Sequence, residues 1–241
     1  VLALSVPASS ARRAGGAAAE CASSLRFSPS ALVKLGSLDR ASWSSVTLAA
    51  AIWFSTCWGP ADMSVAEMQR ADDYSFPYGY RGGQIVRHAF RNIDEIGPAG
   101  SINASVEDML KYVRFRMSQG NGSKPLVSEK QEKLMQSPRS VVPYWNYGDV
   151  PGLGPDTYGA GLAVTGYRGY RVVMHGGGID GFISQMAWVP ERQVGVVVLT
   201  NSTNDEGGGN SAPNGLTYYL LDKMLGLPPL DWVARERQSQ F

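Results

Sequence analysis

His175-Gly176-Gly177-Gly178 places an ionisable ring directly before three residues that lack a Cβ, at the end of an apolar run in YRVVMHGGGIDGFISQMAWVP. Two chemical needs meet in such a pattern. A histidine gives or takes a proton near neutral pH, and bare backbone lets another group come close to its N–H donors. Either the turn itself needs glycine, or some group must approach the backbone closely at this point. The plain alternative is a glycine hairpin carrying a surface histidine.

Two other strings compete for attention. Gly176-x-Gly178-x-x-Gly181 fits the dinucleotide fingerprint, but that fingerprint needs a helix after the glycines to hold a pyrophosphate. A β-type run follows instead, and no βαβ unit is visible. Tyr144-Trp145-Asn146 has the form of a Tyr-x-Asn triplet, yet it sits in the Pro- and Gly-rich stretch VVPYWNYGDVPG and reads as a structural loop. With two histidines, two cysteines (Cys21 and Cys57) and no CxxC pair, nothing calls for a metal or an organic cofactor.

The elements that must position these residues follow from periodicity. SVAEMQRADDY reads as a short helix and FPYGYRGGQ as turn-rich. GPAGSINASVEDMLKYVRFRMSQGNG holds the clearest helix. Ser105 is its N-cap, and Asp108 suits the first turn. Val106, Met109, Leu110, Val113 and Met117 share one face, and Gly120 ends it. Val127 to Met135 suggests a second helix. Four β-type runs come next: YGAGLAVT (158–165), YRVVMH (170–175), FISQMAWV (182–189) and VGVVVLTN (194–201). Their links, GYRG, GGGIDG and PERQ, are too short for parallel crossovers, so the strands are antiparallel. A glycine-rich loop and a helix over about 216–225 close the pattern. The expected class is α+β, an antiparallel meander with helices packed on it.

The 241 residues are 44% hydrophobic and 18% charged, with a net charge of +1. That balance gives no argument for a nucleic-acid partner or an anionic membrane surface. The longest apolar stretch, Val46 to Phe54, is far below the roughly 20 residues of a membrane span. Composition changes near Met63. Residues 1–62 contain no Tyr, Met, His, Asn or Gln, whereas residues 63–241 contain 38 of them. Ala and Ser make up 26 of the first 62, so the segment stays unassigned. It is a leader, a linker, or a stretch out of the natural reading frame. The arginines of VLALSVPASSARRAGGAAA follow the apolar start, the reverse of a signal peptide. Three tryptophans (Trp43, Trp53, Trp58) argue against a solvated linker.

Taken together, GPAGSINASVEDMLKYV, YGAGLAV and HGGGIDGFISQMAWVPERQVGVVVLTNS resemble one family. The chain looks like the serine hydrolases of the β-lactamase and penicillin-binding-protein-like superfamily, in the class C-like branch of peptidases and esterases. The likeness runs over about residues 63 to 234, the C-terminal portion of such a domain, and implies the β-lactamase/transpeptidase-like fold. His175, Gly176 and Gly177 match the family's His/Lys-Thr/Gly-Gly motif beside the active site. The resemblance implies that the N–H of Gly178 is one oxyanion donor. It also implies that His175 orients substrate or tunes proton transfer, and that Gly176 and Gly177 lie against the substrate. The substrate would be a small-molecule or peptide carbonyl: an ester, amide or lactam. An extracytoplasmic setting is what the family leans toward; the compartment stays open.

The family nucleophile belongs to a Ser-x-x-Lys motif with a Tyr-x-Asn further along, both N-terminal to the matching region. None of the six lysines has a serine three residues before it. Ser30-Ala-Leu-Val-Lys34 is one residue too long, about 400° around a helix instead of about 300°. Tyr144-Trp145-Asn146 comes too late in the chain, and no Gly-x-Ser-x-Gly elbow substitutes. No nucleophile is therefore assigned. The expectation is an incomplete catalytic domain, silent alone by a factor on the order of 10⁶. An uncovered sheet face or edge would lower its solubility. The rival expectation is a non-catalytic binding module, a pseudoenzyme that keeps the HGGG cleft.

Overall fold

The computed structural model describes residues 2–5, 64–118, 127–142, 152–154, 156–205 and 212–238. The strands are β1 (Leu2–Ser5), β2 (Tyr78–Arg81), β3 (Gln84–Arg87), β4 (Ser140–Val141), β5 (Thr157–Tyr158), β6 (Ala163–Tyr167), β7 (Tyr170–Ile179), β8 (Phe182–Val189), β9 (Val194–Thr200) and β10 (Ser202–Asn204). The helices longer than one turn are α1 (Val106–Ser118), α2 (Glu129–Met135), α3 (Ala212–Leu225) and α4 (Trp232–Gln238).

Two tight turns build the centre of the sheet. Arg168-Gly169 (φ 49° and 90°) joins β6 to β7, and Asp180-Gly181 (φ 42° and 89°) joins β7 to β8. Positive φ at both turn residues matches the twist of the flanking strands. The third link is a turn of 3-10 helix, Pro190–Arg192, closed by Gln193 in the left-handed region. The result is a seven-stranded sheet in the order β1-β9-β8-β7-β6-β5-β4, antiparallel throughout. A smaller sheet, β10-β2-β3, pairs β10 with β2 in parallel and β2 with β3 as a hairpin.

Alternation along the strands assigns the faces. Val172, Met174, Ala187, Val189, Val196 and Val198 bury against Tyr218, Leu221 and Leu225 of α3 and Trp232 of α4. Val173, Trp188 and Val197, one residue out of phase, bury against Leu110, Val113 and Met117 of α1. Each fully buried side chain of this size contributes about 1.5–3 kcal/mol. Helix α1 starts as its sequence requires: Ser105 Oγ accepts from the Asp108 N–H at 3.2 Å and donates to Asp108 Oδ2 at 2.7 Å. Helix α2 begins with a capping box between Ser128 and Gln131.

The α+β architecture with an antiparallel meander is the one expected, and four details differ. The glycine run is part of β7 and not a link, because each glycine holds a ladder position against β8. The 158–165 run is broken at Gly159–Leu162, where Gly159 N–H donates to the Leu162 carbonyl at 2.7 Å. FPYGYRGGQ is a hairpin whose turn is Gly82-Gly83. Helices of the chain itself cover both faces of β8 and β9, so the expected bare face is not found among these strands. From the unassigned first segment, Leu2–Ser5 pairs with β9 at the edge of the sheet. Gly120, Ser30, Lys34, both cysteines and Tyr144-Trp145-Asn146 lie outside the described residues. Among the described residues no helix is long and apolar enough to cross a membrane.

Candidate active site

The site is built where one neighbour of β7 stops and the other continues. The β6 ladder ends at the Ala163↔Met174 pair, whereas the β8 ladder runs on to Ile179↔Phe182. Residues 175–179 are therefore paired on one side only among the described residues. The two-residue turn makes Ile179 and Phe182 a hydrogen-bonded pair, and alternation does the rest. Ile179, Gly177 and His175 direct their N–H and C=O groups toward β8. Gly178 and Gly176 direct theirs toward the open edge. Gly177 and Gly178 are exposed, and His175 and Gly176 are half-buried.

His175 does not point freely into solvent. Its Nε2 lies 2.9 Å from the hydroxyl of Tyr158, and the two rings are tilted by 59° with centroids 6.0 Å apart. Burial lowers the imidazole pKa below its ordinary value, while a backbone hydrogen bond with Gly176 opposes that shift. Burial pushes the Tyr158 phenol up. At neutral pH the pair is an uncharged imidazole against a protonated phenol.

The glycines also have partners across the ladder. A Cβ on Gly176 would overlap Oε1 of the buried Gln185, its cross-strand neighbour. A Cβ on Gly177 would come within 2.9 Å of Ser184 Oγ, and one on Gly178 within 3.0 Å of Ile183 Cδ1. Side chains from β8 thus fold over the bare ribbon and hold its shape. At the far end of the hairpin, Arg91 Nε donates to Asp180 Oδ1 at 2.6 Å, and Phe90 stacks on Phe182 at 6.2 Å.

The structure keeps His175, Gly176, Gly177 and Gly178 together on one strand edge. The second histidine belongs elsewhere: His88 Nε2 lies 2.9 Å from Asp205 Oδ2, beside the β2–β10 pair. A cleft of about 430 Å³ next to it is lined by Ser64, Gln69, Arg87, His88, Phe90 and Asn92, and includes none of residues 175–178. Among the described residues no group of three or more His, Cys, Asp or Glu is placed to hold a metal ion. Sequence reasoning missed Tyr158 and Gln185. Tyr158 was within reach as the first residue of YGAG, a glycine pattern that presses backbone against backbone. Gln185 carried no signal except its place opposite a glycine.

The beta-lactamase family model matches residues 45–216. The chain is 33% identical over 154 residues to unguisins hydrolase ungD of Aspergillus violaceofuscus (strain CBS 115571), covering 58% of this chain and 26% of that protein. It is 28% identical over 145 residues to unguisins hydrolase ungD' of Aspergillus campestris (strain IBT 28561), covering 59% and 25%. It thus spans about a quarter of the length of these relatives. The octameric penicillin-binding protein homologue from Pyrococcus abyssi shares the fold, with a TM-score of 0.58 at 24% identity over 73% of this chain and 37% of that one.

Proposed function

The chain belongs to the beta-lactamase family, and from that premise we propose that it supplies the carbonyl-cradling part of a serine hydrolase. The substrate is an ester, amide or lactam, and the reaction runs through an acyl-enzyme. A serine hydroxyl adds to the carbonyl carbon, its proton passes to a base, and the carbonyl π pair moves onto oxygen. The N–H of Gly178 receives that oxyanion. Collapse expels the leaving group, and water later cleaves the acyl ester. Gly176 and Gly177 form the bed of the substrate, and His175 orients it beside the reacting centre. The attacking hydroxyl belongs to polypeptide outside this sequence as read, so the chain alone is silent.

One observation carries this reading. The β6 ladder stops at Met174 while the β8 ladder continues, which leaves the N–H groups of Gly176 and Gly178 aimed at an open edge. Donors left without a ladder partner among the described residues, and held on a strand, need little reorganisation when charge appears. The Aspergillus relatives are hydrolases by name, which supports hydrolysis as the class of reaction.

Two measurements test it. Incubation of the chain with a fluorophosphonate and with a fluorescent penicillin is expected to give no covalent adduct; a stoichiometric adduct would place the nucleophile in this chain after all. With glycine labelled by ¹⁵N, titration with intact penicillin should move the amide signals of Gly176 and Gly178 first. Saturation that leaves both unmoved overturns the cradle. Ligand binding without turnover, even by a longer polypeptide carrying Ser-x-x-Lys, would make the protein a binding module.

A further inference from the structure

We propose that Tyr158 is the positioning residue of His175, its hydroxyl donating to Nε2 and fixing the imidazole at the mouth of the open β7 edge. The functional meaning of this contact rests on reading His175–Gly178 as the reaction site.

The mounting of Tyr158 is unusually firm for the end of a two-residue strand. Tyr158 pairs with Ala163, and Ala163 pairs with Met174, so the phenol stands two strands away from the residue before His175. The β6 ladder ends at that row, which opens the path for the hydroxyl to reach the next residue of β7. The backbone is pinned on both sides of the ring. Arg139 N–H donates to the Tyr158 carbonyl at 3.0 Å, and Ala160 N–H donates to the Met135 carbonyl at 3.1 Å. Between them, a Cβ on Gly159 would lie 2.5 Å from the Met135 carbonyl oxygen and 2.8 Å from that of Ser137. Only glycine lets the chain press so closely against the end of α2. Gly161, at φ 78°, then turns the chain back into β6. The YGAG stretch is therefore a bracket, and the hydroxyl of Tyr158 is what it delivers.

The direction of the hydrogen bond follows from the partners of the ring. The Gly176 backbone group favours the charged imidazole, which a carbonyl does by accepting from a ring N–H and an amide donor does not. One ring nitrogen thus carries hydrogen toward Gly176. In the neutral ring the other nitrogen, Nε2, has only a lone pair to offer. Tyr158, whose phenol stays protonated, is then the donor at 2.9 Å. Among the described residues, burial and the Gly176 backbone act on the ring, and the Tyr158 hydroxyl lies 2.9 Å from its Nε2. The bond selects one tautomer and holds the imidazole neutral beside the edge where the acyl oxygen would lie.

The chain contains two histidines, so His88 serves as an internal control. Long-range ¹H–¹⁵N spectra across a pH titration give the tautomer and pKa of each. Tyr158→Phe removes a donor that favours the neutral ring. It should raise the pKa of His175 by about half a unit to one unit and mix its tautomers, with His88 unmoved. Replacing Tyr158 by 3-fluorotyrosine strengthens the donor without changing shape, and should lower the pKa of His175 instead. If His175 titrates and tautomerises as in the parent in both proteins, Tyr158 does not position it. Should Tyr158→Phe disturb the fold, the His88 signals report it and the fluorinated protein decides. Penicillin that fails to move Gly178 while His175 answers to Tyr158 would end the reaction-site reading and leave the positioning contact standing.

Discussion

Gly176 and Gln185 share one cross-strand position on β7 and β8, and the carboxamide of Gln185 lies where any side chain of residue 176 would have to go. The glycine is demanded from inside the protein on that face, whatever approaches its open edge. Gly176→Ala should therefore cost about 1–3 kcal/mol by overpacking. Gly176→Ala with Gln185→Ala should recover most of that loss relative to Gln185→Ala alone. Urea unfolding measures both differences, and an equal cost in the two backgrounds would show that Gln185 is not the obstacle.

Two aspartates should drive stability in opposite directions with pH. Burial raises the Asp108 pKa, but hydrogen bonds from Lys111 and Ser105 outweigh it and hold the carboxyl below its ordinary value of 3.8. Its contribution is present above that value and is lost as pH falls through the folded pKa. Burial raises the Asp156 pKa, opposed only by Thr165, and among the described residues its Oδ1 has no partner. A raised carboxyl pKa means the folded protein binds the proton more tightly, so its penalty grows as pH climbs from about 3.8 through the folded pKa. Thermal melts near pH 3 and pH 7 check this. Asp108→Asn should lose stability at the higher pH and little at the lower. Asp156→Asn should compare better with the parent at pH 7 than at pH 3.

Arg116 and Glu132 form a buried pair between α1 and α2, 2.9 Å apart, with side chains 4% and 6% exposed. Gln136 Nε2 donates to Glu132 Oε1 at 2.6 Å and Arg116 Nη1 to the Tyr112 hydroxyl at 3.0 Å. Glu132→Leu strands the guanidinium and should cost about 3–5 kcal/mol. Arg116→Met with Glu132→Leu should cost distinctly less, because no uncompensated charge remains. Denaturant midpoints of the single and double variants decide it.

The turn that ends the glycine ribbon should tolerate change at one residue and not at the next. A Cβ on Gly181 would lie 2.7 Å and 2.8 Å from backbone atoms of Tyr78, at φ 89°. Gly181→Ala should cost at least about 1–3 kcal/mol and shift the amide signals of the hairpin. Asp180→Asn keeps a residue suited to φ 42° and gives up only the Arg91 ion pair. Arg91 is largely exposed, so that loss should be about 0–1 kcal/mol in a thermal melt.

The local parts of this protein were legible in its residues alone. Ser105 announces a helix start because a cap and the N–H group it serves lie three residues apart. Asp180-Gly181 announces a tight turn because Asp and Gly suit left-handed backbone, whereas Arg168 at φ 49° carries no such signal. The HGGG motif and its neighbours pointed to the family for the same reason: the chemistry is contiguous in the chain. The glycines by themselves read as a link, however, since nothing local shows that a cross-strand partner keeps them in register.

Tertiary structure decided what lies between distant residues. Tyr158 meets His175 across 17 positions and His88 meets Asp205 across 117, and neither pairing follows from propensity. Strand register sets both, because register fixes where the β6 ladder stops, which donors of β7 stay open and which side chain from β8 covers each glycine. Register in turn comes from burying two out-of-phase rows of side chains against α1 and α3, a requirement of the whole sheet and not of any one segment.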